Sequence, residues 1–463
     1  MPSGVRLLLM SLLAGLMLPA QAAPDVRGVS DLRILELRAN TLKLPAATPA
    51  SELSVVVWRD GAFQPVVFQL DPVGDADMVW FEDGELDRDA PAALFTGDDR
   101  LLLRLRDAGV QAPADAAPAR GAIVNELAVT GSDDERRYFY IVRSDPRRDD
   151  GWFVHHDLRT GTTITDSYQL VVDPDNELNW QYLSYDGYQG EGSIIDTLKM
   201  RMAAGFLNRH ARVTLDNTNL RPTLTGYKSG PLRTVMHLET RVVLAGIPVM
   251  KLHVQAYRYP DHYEAHTYAR VPGLYRRTLR APEVSVTIDG NAQYGATVQT
   301  ARSGPLRGLV DGRLDDEERQ MIERGLSSDE SWILFDSGKQ FILLAELDVP
   351  DKLSGIPLAL VYQDDPHLAV EPEQFTGQLP NLGYALRGWP EEQEMRFAVR
   401  MLFGSDLHGM APEDYADART LTPALQVTPW PRSMPAAATP AALPEAAVEA
   451  ILPTAPDSTR TTD

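Results

Sequence analysis

The polar segment 259–270 holds the residues of this sequence best suited to chemistry. In a β-strand successive side chains point to opposite faces, so His262, Glu264 and His266 would share one face. Two imidazoles and a carboxylate at this spacing can act as a general acid–base set on a sugar. We therefore predict that His262, Glu264 and His266 are catalytic. The competing interpretation is a solvent-facing polar strand face without a ligand, which is normal in a half-solvated sheet.

Four more side chains are predicted to bind a ligand beside this set: His253, Tyr257, Tyr268 and Arg270. The first two lie on the preceding apolar run, which is expected to pair antiparallel with the polar segment. The last two continue the segment itself. The same strand face also fits a divalent metal, because imidazole nitrogens and carboxylate oxygens are common metal ligands.

An acidic stretch earlier in the chain is a second candidate metal site. It places carboxylates at alternating positions, namely Asp83, Glu85, Asp87 and Asp89. Ca²⁺ prefers oxygen ligands of this kind, although the spacing does not match the twelve-residue calcium-binding loop. A solvated acidic loop is the other interpretation. The sequence therefore makes no cofactor certain, and Ca²⁺ or another divalent metal is the candidate.

The elements that must position these side chains are predicted to be strands. Runs of β-branched and aromatic residues separated by turn residues recur along most of the chain. Asp60-Gly61, between two such runs, is a strong hairpin signal. One helix is predicted to start at Asp315, where Asp315 and Glu318 form a capping box, and to stop at Gly325. A second helix is a candidate over 194–210, where a strand is the alternative.

These patterns predict a mostly β protein with four parts after a signal peptide at 1–22. A small N-terminal β-sandwich domain covers 23–109, and an Ala/Pro-rich linker covers 110–119. A large antiparallel β-sandwich with few short helices covers 120–427. The Pro/Ala/Thr-rich tail at 428–463 is expected to be disordered.

The N-terminus predicts export. Arg6 is followed by an apolar run at 7–18 and then by Ala20-Gln21-Ala22, the three parts of a secretory signal. Cleavage after Ala22 would place the protein in the periplasm or outside the cell. No later segment is apolar for long enough to span a membrane, so no transmembrane segment is expected after signal cleavage.

Composition restricts the chemistry and the partners. The chain has no cysteine, which excludes disulfides and thiolate sites, and its formal net charge is −21. Such a charge repels nucleic acid, so nucleic acid is not an expected partner. A glycan or an envelope protein is the expected partner.

One motif resembles a known group of proteins. Ser229-Gly230-Pro231-Leu232-Arg233-Thr234-Val235 runs into strands and then Tyr259-Pro260-Asp261, which resembles the β-supersandwich of exported mutarotase-like and polysaccharide-processing proteins. The resemblance covers about a quarter of the chain and implies a concave sheet face that binds a glycan. His262, Glu264 and His266 are the residues carried over, because they share a strand face.

Three functional hypotheses follow. The first is a non-catalytic envelope protein that binds a glycan or a protein partner through a β-sandwich face. The second is a carbohydrate-active enzyme, a polysaccharide lyase or an epimerase, that uses His262 to His266. The third is a divalent-metal site on the same strand. A deep cleft that holds His262, Glu264 and an arginine would favour the enzyme, and a flat sheet face would favour binding alone.

Overall fold

The computed structural model describes residues 24–45, 48–206, 212–350, 355–368, 371–389 and 393–431. Within them the predicted mostly β class is confirmed, with five antiparallel sheets and four α-helices. The expected signal peptide lies outside the described residues, as does the expected tail from residue 432 onwards.

The first part of the chain contains seven strands. They are β1 (Ile34–Arg38), β2 (Leu53–Arg59), β3 (Ala62–Pro65), β4 (Phe68–Asp71), β5 (Arg100–Arg104), β6 (Ala122–Thr130) and β7 (Arg136–Arg143).

The middle of the chain contributes the next eleven. They are β8 (Val154–Asp157), β9 (Thr162–Thr165), β10 (Tyr168–Asp173), β11 (Asn176–Tyr185), β12 (Ile195–Phe206), β13 (Arg212–Leu215), β14 (Leu220–Ser229), β15 (Thr234–Leu244), β16 (Ile247–Arg258), β17 (His262–Arg270) and β18 (Leu279–Gly290).

The remaining strands are β19 (Thr297–Thr300), β20 (Gly308–Leu309), β21 (Ile333–Asp336), β22 (Ile342–Asp348), β23 (Leu358–Gln363), β24 (Asn381–Arg387), β25 (Glu394–Gly404) and β26 (Ala424–Pro429). The α-helices are α1 (Val26–Asp31), α2 (Gly273–Thr278), α3 (Asp316–Arg324) and α4 (Pro412–Thr420). Short 3-10 helices lie at Ala39–Leu42, Ala50–Glu52, Asp75–Asp77, Leu105–Asp107 and Asn217–Asn219.

A nine-stranded sheet dominates the molecule, in the order β14-β15-β16-β17-β25-β22-β21-β19-β20. One of its faces packs on two smaller sheets, β13-β12-β18-β24-β23 and β11-β10-β9-β8. The shared core includes Trp180, which meets Tyr263 of β17 edge to face with ring centroids 4.8 Å apart. Because alternate residues of β17 face this core, the residues between them face the other way.

The other two sheets are built from the first part of the chain and from β26. Their orders are β1-β5-β4 and β26-β6-β7-β2-β3, and a core of their own lies between them. The three-stranded sheet also packs on the nine-stranded one, where Val79 and Leu102 meet Val235 and Tyr257. This contact places β1 opposite the polar face of β17.

The sheet pairing differs from the expected division of the chain. Strands β6 and β7 follow the expected linker at 110–119, yet β7 pairs with β2 of the first domain. Strand β26 returns from the far end of the chain to pair with β6, and it includes Thr428 and Pro429 of the expected tail. Pairing satisfies the backbone N–H and C=O groups at strand edges, and a segment from any part of the chain can provide the partner strand.

Two local predictions are confirmed. Asp60 and Gly61 adopt the left-handed backbone conformation between β2 and β3, as a two-residue hairpin requires. Helix α3 begins with the predicted capping box of Asp315 and Glu318 and ends at Gly325.

Of the two alternatives for 194–210, the helix is wrong and the strand is observed, since residues 195–206 form β12, while residues 207–210 lie outside the described residues. The prediction rested on Ile194, Leu198, Met202 and Phe206. A spacing of four satisfies both the helical period and the strand period of two, so it cannot distinguish them. Pairing with β13 and β18 decides in favour of the strand.

Candidate active site

Strand β17 places His262, Glu264 and His266 on the face of the nine-stranded sheet that is turned away from its core. Tyr263, which lies between them in sequence, is 2% exposed and packs in that core. Burial of the intervening residues sets which face the polar side chains take. The predicted alternation is therefore observed, and the polar face looks towards β1.

Glu264 lies between the two imidazoles. Its Oε2 is 2.7 Å from Nε2 of His266, and its Oε1 is 3.7 Å from Nε2 of His262 and 3.4 Å from Nε of Arg400. Burial by itself raises the pKa of Glu264, but the His266 hydrogen bond and the Arg400 charge outweigh burial and lower the pKa. The carboxylate is thus ionised and can orient both rings.

His262 has a carboxylate partner of its own. Its Nδ1 is 2.8 Å from Oδ1 of Asp261, and Oδ2 of Asp261 accepts from Nη2 of Arg419 at 3.1 Å. Burial favours the neutral acid, but the charges of His262, Arg419 and Arg33 outweigh it and lower the pKa of Asp261. The ring of Tyr259 stacks on the face of the His262 imidazole.

These side chains line a cleft with a volume of about 620 Å³. Its walls come from the β1 region, β17, β25, the end of β22 and the end of α4. Seven arginines and six carboxylates line it: Arg33, Arg38, Arg100, Arg233, Arg396, Arg400 and Arg419, with Glu36, Asp77, Asp261, Glu264, Glu346 and Asp348. In a chain with a net charge of −21, this lining is unusually rich in positive groups.

Arg400 connects the histidine strand to the next wall of the cleft. Its guanidinium contacts Glu346 Oε2 at 3.3 Å and Asp348 Oδ2 at 3.0 Å, in addition to Glu264. Burial lowers the pKa of Arg400, but the charges of Glu264, Glu346 and Asp348 raise it further than burial lowers it. Arg400 thus remains charged beside the histidines.

The structure divides the four predicted ligand-binding residues. Tyr257 lies opposite Glu264 on the paired strand and lines the cleft, although only 4% of it is exposed. His253, Tyr268 and Arg270 lie beyond the cleft lining. His253 Nδ1 is 3.2 Å from Nε2 of His237 and the Tyr268 hydroxyl donates to Glu394, while Arg270 is exposed.

Neither predicted metal site gathers its ligands. In the part of the chain that the structure describes, only Asp196, Asp289 and Glu373 bring three His or acidic ligand atoms within 4.8 Å of one another. The four acidic residues at 83–89 are spread along a turn, where Glu85 pairs with Lys251 at 2.7 Å. The ligand atoms of His262, Glu264 and His266 are not all within 4.8 Å of one another, because these side chains are set side by side along β17.

The cluster of Asp196, Asp289 and Glu373 was not predicted from sequence. The ammonium of Lys199 lies against it, 2.6 Å from Asp289 and 2.7 Å from Glu373. Lys199 is 1% exposed, so this cluster is a buried ion-pair network with a cation already in place.

Sequence reasoning also missed the arginines and acids that complete the cleft. Arg400, Glu346 and Asp348 come from strands more than 70 residues beyond β17 in the chain, while Arg33 and Glu36 come from near its beginning. Alternation along β25, with Arg396 and Arg400 on one face, was the available signal. It could not show that this face adjoins His266.

Comparisons with known proteins give no family. No family model and no curated protein matches the chain. Distant structural similarity exists to an alpha-mannosidase from Enterococcus faecalis V583, with 9% identity, a TM-score of 0.45, and coverage of 86% of this chain and 44% of that one. This chain thus spans less than half the length of that protein.

Two more solved structures are more distant. The Slr1438 protein from Synechocystis sp. PCC 6803 has 10% identity, a TM-score of 0.30, and coverage of 56% of this chain and 97% of its own. A family GH92 alpha-mannosidase from Bacteroides thetaiotaomicron has 10% identity and a TM-score of 0.22, with coverage of 56% of this chain and 32% of its own. At this level the likeness is one of β-rich folds.

The described helices were compared with the length and apolar character of a membrane span. None of those within the described ranges has both the length and the apolar character needed to cross a bilayer.

Proposed function

We propose that the cleft is the active site of a carbohydrate-active enzyme that works by proton transfer, a lyase or an epimerase, in an exported protein. One observation carries the proposal. Two imidazole–carboxylate pairs, His262 with Asp261 and His266 with Glu264, lie side by side on β17 at the wall of the cleft.

The shape of the site favours catalysis over binding on a flat face. Ligand pockets typically enclose about 300–1,000 Å³, and the cleft falls within that range at about 620 Å³. It also holds His262, Glu264 and Arg400 together. A deep cleft with these three groups is the arrangement that distinguishes the enzyme from the binding protein.

The aromatic residues of the cleft also favour an enzyme over a binding protein. A sugar-binding face without catalysis needs an exposed ring on which a sugar can stack. The aromatic rings in the lining belong to Tyr257, Tyr259 and Phe397, and each residue is no more than 4% exposed. The cleft therefore offers charged and proton-carrying groups rather than a stacking platform.

The roles follow from the hydrogen bonds. Asp261 holds Nδ1 of His262, which leaves Nε2 turned towards Glu264 and the interior of the cleft. His266 is more exposed and is oriented by Glu264. One imidazole can accept a proton from the sugar while the other donates one to an oxygen.

The test is glycan turnover by the double variant His262→Ala/His266→Ala. General acid–base groups contribute about 10²–10⁴-fold to rate, so the double variant should lose about that much on any polysaccharide that the wild type cleaves or epimerises. His155→Ala is the matched control, because His155 is an exposed histidine on β8, away from the cleft. Unchanged turnover in a folded double variant would refute the site.

A further inference from the structure

One end of the cleft carries guanidinium groups whose hydrogen-bond donors the protein leaves unsatisfied. Arg419, at the end of α4, is 1% exposed, and its Nη2 donates to Asp261. Its Nε and Nη1 are buried and make no hydrogen bond within the described residues. Arg33, just before β1, donates through Nη1 to the Arg419 carbonyl, and its buried Nε is also without a partner.

These arginines lie close enough to disturb each other. Burial, followed by the positive charges of Arg419 and Arg400, lowers the pKa of Arg33 to about 10. The two carboxylates that oppose this effect, Asp261 and Glu346, are already engaged, the first by His262 and Arg419 and the second by Arg400. A bound anion would relieve the repulsion and satisfy the free donors together.

We propose that Arg33 and Arg419 form a subsite for a single carboxylate, so that the substrate of the cleft is an acidic, uronate-containing glycan. This inference rests on the proposed function, because it assigns the substrate class of that same site. The planar donors of arginine match the geometry of a carboxylate.

Local charge selects a group with one negative charge. Arg33, Arg400 and Arg419 carry three positive charges, and the two carboxylates that act on Arg33, Asp261 and Glu346, carry two negative charges, so one unit of charge is left to neutralise. A phosphate monoester would bring nearly two negative charges next to Asp261 and Glu346, and repulsion between like charges disfavours it.

The position of the subsite also connects it to the histidines. Asp261 bonds both Arg419 and His262, so a carboxylate held by Arg419 presents its adjacent carbon near the imidazole. His262 or His266 can then remove the proton from that carbon, and the electron pair is stabilised through the carboxylate that the arginines neutralise. Return of a proton to the opposite side gives the epimer. If the electron pair instead expels the oxygen on the next carbon, which takes up a proton, the product is unsaturated.

The experiment measures binding rather than turnover. The probes are an oligogalacturonate and the same oligosaccharide with its carboxyl groups reduced to alcohols, titrated by calorimetry into Glu264→Gln protein so that neither is consumed. The acidic probe should bind at least about tenfold more tightly, because a buried site built for a polar group rejects an analogue that lacks it. Adding Arg33→Met should remove this preference, and adding Arg241→Met should not, since Arg241 is exposed on β15 away from the cleft.

Equal binding of the two probes, or a preference that survives Arg33→Met, would overturn the subsite. Tighter binding of a phosphorylated oligosaccharide than of the uronate would overturn the choice of a carboxylate. If the Met variant does not fold, Arg33→Gln provides the same comparison, because it removes the charge but keeps a polar side chain. A uronate preference that depends on Arg33, with turnover unaffected by the His262/His266 variant, would show that the proposed function had failed and the subsite had not.

Discussion

The ring of Tyr259 stacks on the ring of His262, with centroids 4.0 Å apart and planes 14° from parallel. The hydroxyl of the same tyrosine bonds to Glu36 of β1 and accepts from Arg233 at 2.5 Å. A single side chain therefore joins the histidine of the candidate active site to the N-terminal strand across the cleft. The cleft exists only while the two sheets stay in contact, so its chemistry and the stability of that contact are linked.

Removing the Tyr259 hydroxyl should loosen this contact. Tyr259→Phe keeps the ring stack but leaves buried Arg233 and its ion-pair partner Glu36 with one partner fewer each, which costs about 1–3 kcal/mol. We expect a lower midpoint in urea unfolding. Tyr294→Phe is the control, because Tyr294 is 49% exposed and exposed substitutions change stability by about 0.5 kcal/mol or less. Equal midpoints for the two variants would contradict the role of the hydroxyl.

Glu264 should make stability depend on pH at the acidic end. Its pKa in the folded protein is below the usual 4.5, so its stabilising contribution is present above about pH 4.5 and is lost as the pH falls further. Glu264→Gln should cost about 3 kcal/mol at neutral pH, because it removes the buried carboxylate that His266 and Arg400 share, and Arg400 then keeps only Glu346 and Asp348.

Melting temperatures of wild type and Glu264→Gln, recorded from about pH 7 down to about pH 3, check this expectation. The difference between the two proteins should narrow below pH 4.5. A constant difference across the range would show that the carboxylate charge does not matter.

Asp289 should make stability depend on pH in the opposite direction to Glu264. Burial, together with the charges of Glu373 and Asp196, outweighs Lys199 and raises the pKa of Asp289 from 3.8 to about 6. A raised pKa means that the stability from this group is fully present below 3.8 and is lost as the pH rises through 6.

Asp289→Asn should therefore remove part of the fall in stability between about pH 4 and about pH 6. Chemical unfolding midpoints at several pH values in that window measure it. Asp365→Asn, at the edge of the same small cavity but exposed to a greater degree, is the control and should leave the pH profile unchanged. An unchanged profile in Asp289→Asn would contradict the assignment.

Truncation tests the strand that returns from the end of the chain. A protein that ends at Gln426 loses half of β26 and also Trp430, whose ring meets Tyr140 edge to face at 5.5 Å and whose backbone amide donates to Val124. We expect the melting temperature to fall by about 4 °C or more. A protein that ends at Pro431 keeps these contacts and should melt like the full chain. If both truncations melt alike, β26 beyond Gln426 contributes nothing to stability.

Export remains a prediction from sequence, since residues 1–23 lie outside the described ranges. Expression of the full chain in a bacterium, followed by N-terminal sequencing of the periplasmic or secreted fraction, should give a protein that begins at Ala23. Replacement of Ala20 and Ala22 by bulky residues should block this processing. Mature protein that retains Met1 would refute the signal peptide.

The sequence by itself determined the local features. Alternation in 262–268 specified which side chains of β17 share a face, Asp60-Gly61 specified a hairpin, and Asp315 with Glu318 specified where α3 begins. Each of these depends on residues within a few positions of one another, so backbone geometry and capping hydrogen bonds are enough to predict them.

Only the tertiary structure decided what surrounds the histidines. The partners of Glu264 and Asp261 are Arg400 and Arg419, which lie more than 130 residues further along the chain, and β1 closes the cleft from the opposite side. Tertiary pairing also turned 195–206 into a strand although its spacing fits a helix as well. The physical reason is the same in both cases: sheet pairing and ion pairing depend on distance in space, which local sequence does not specify.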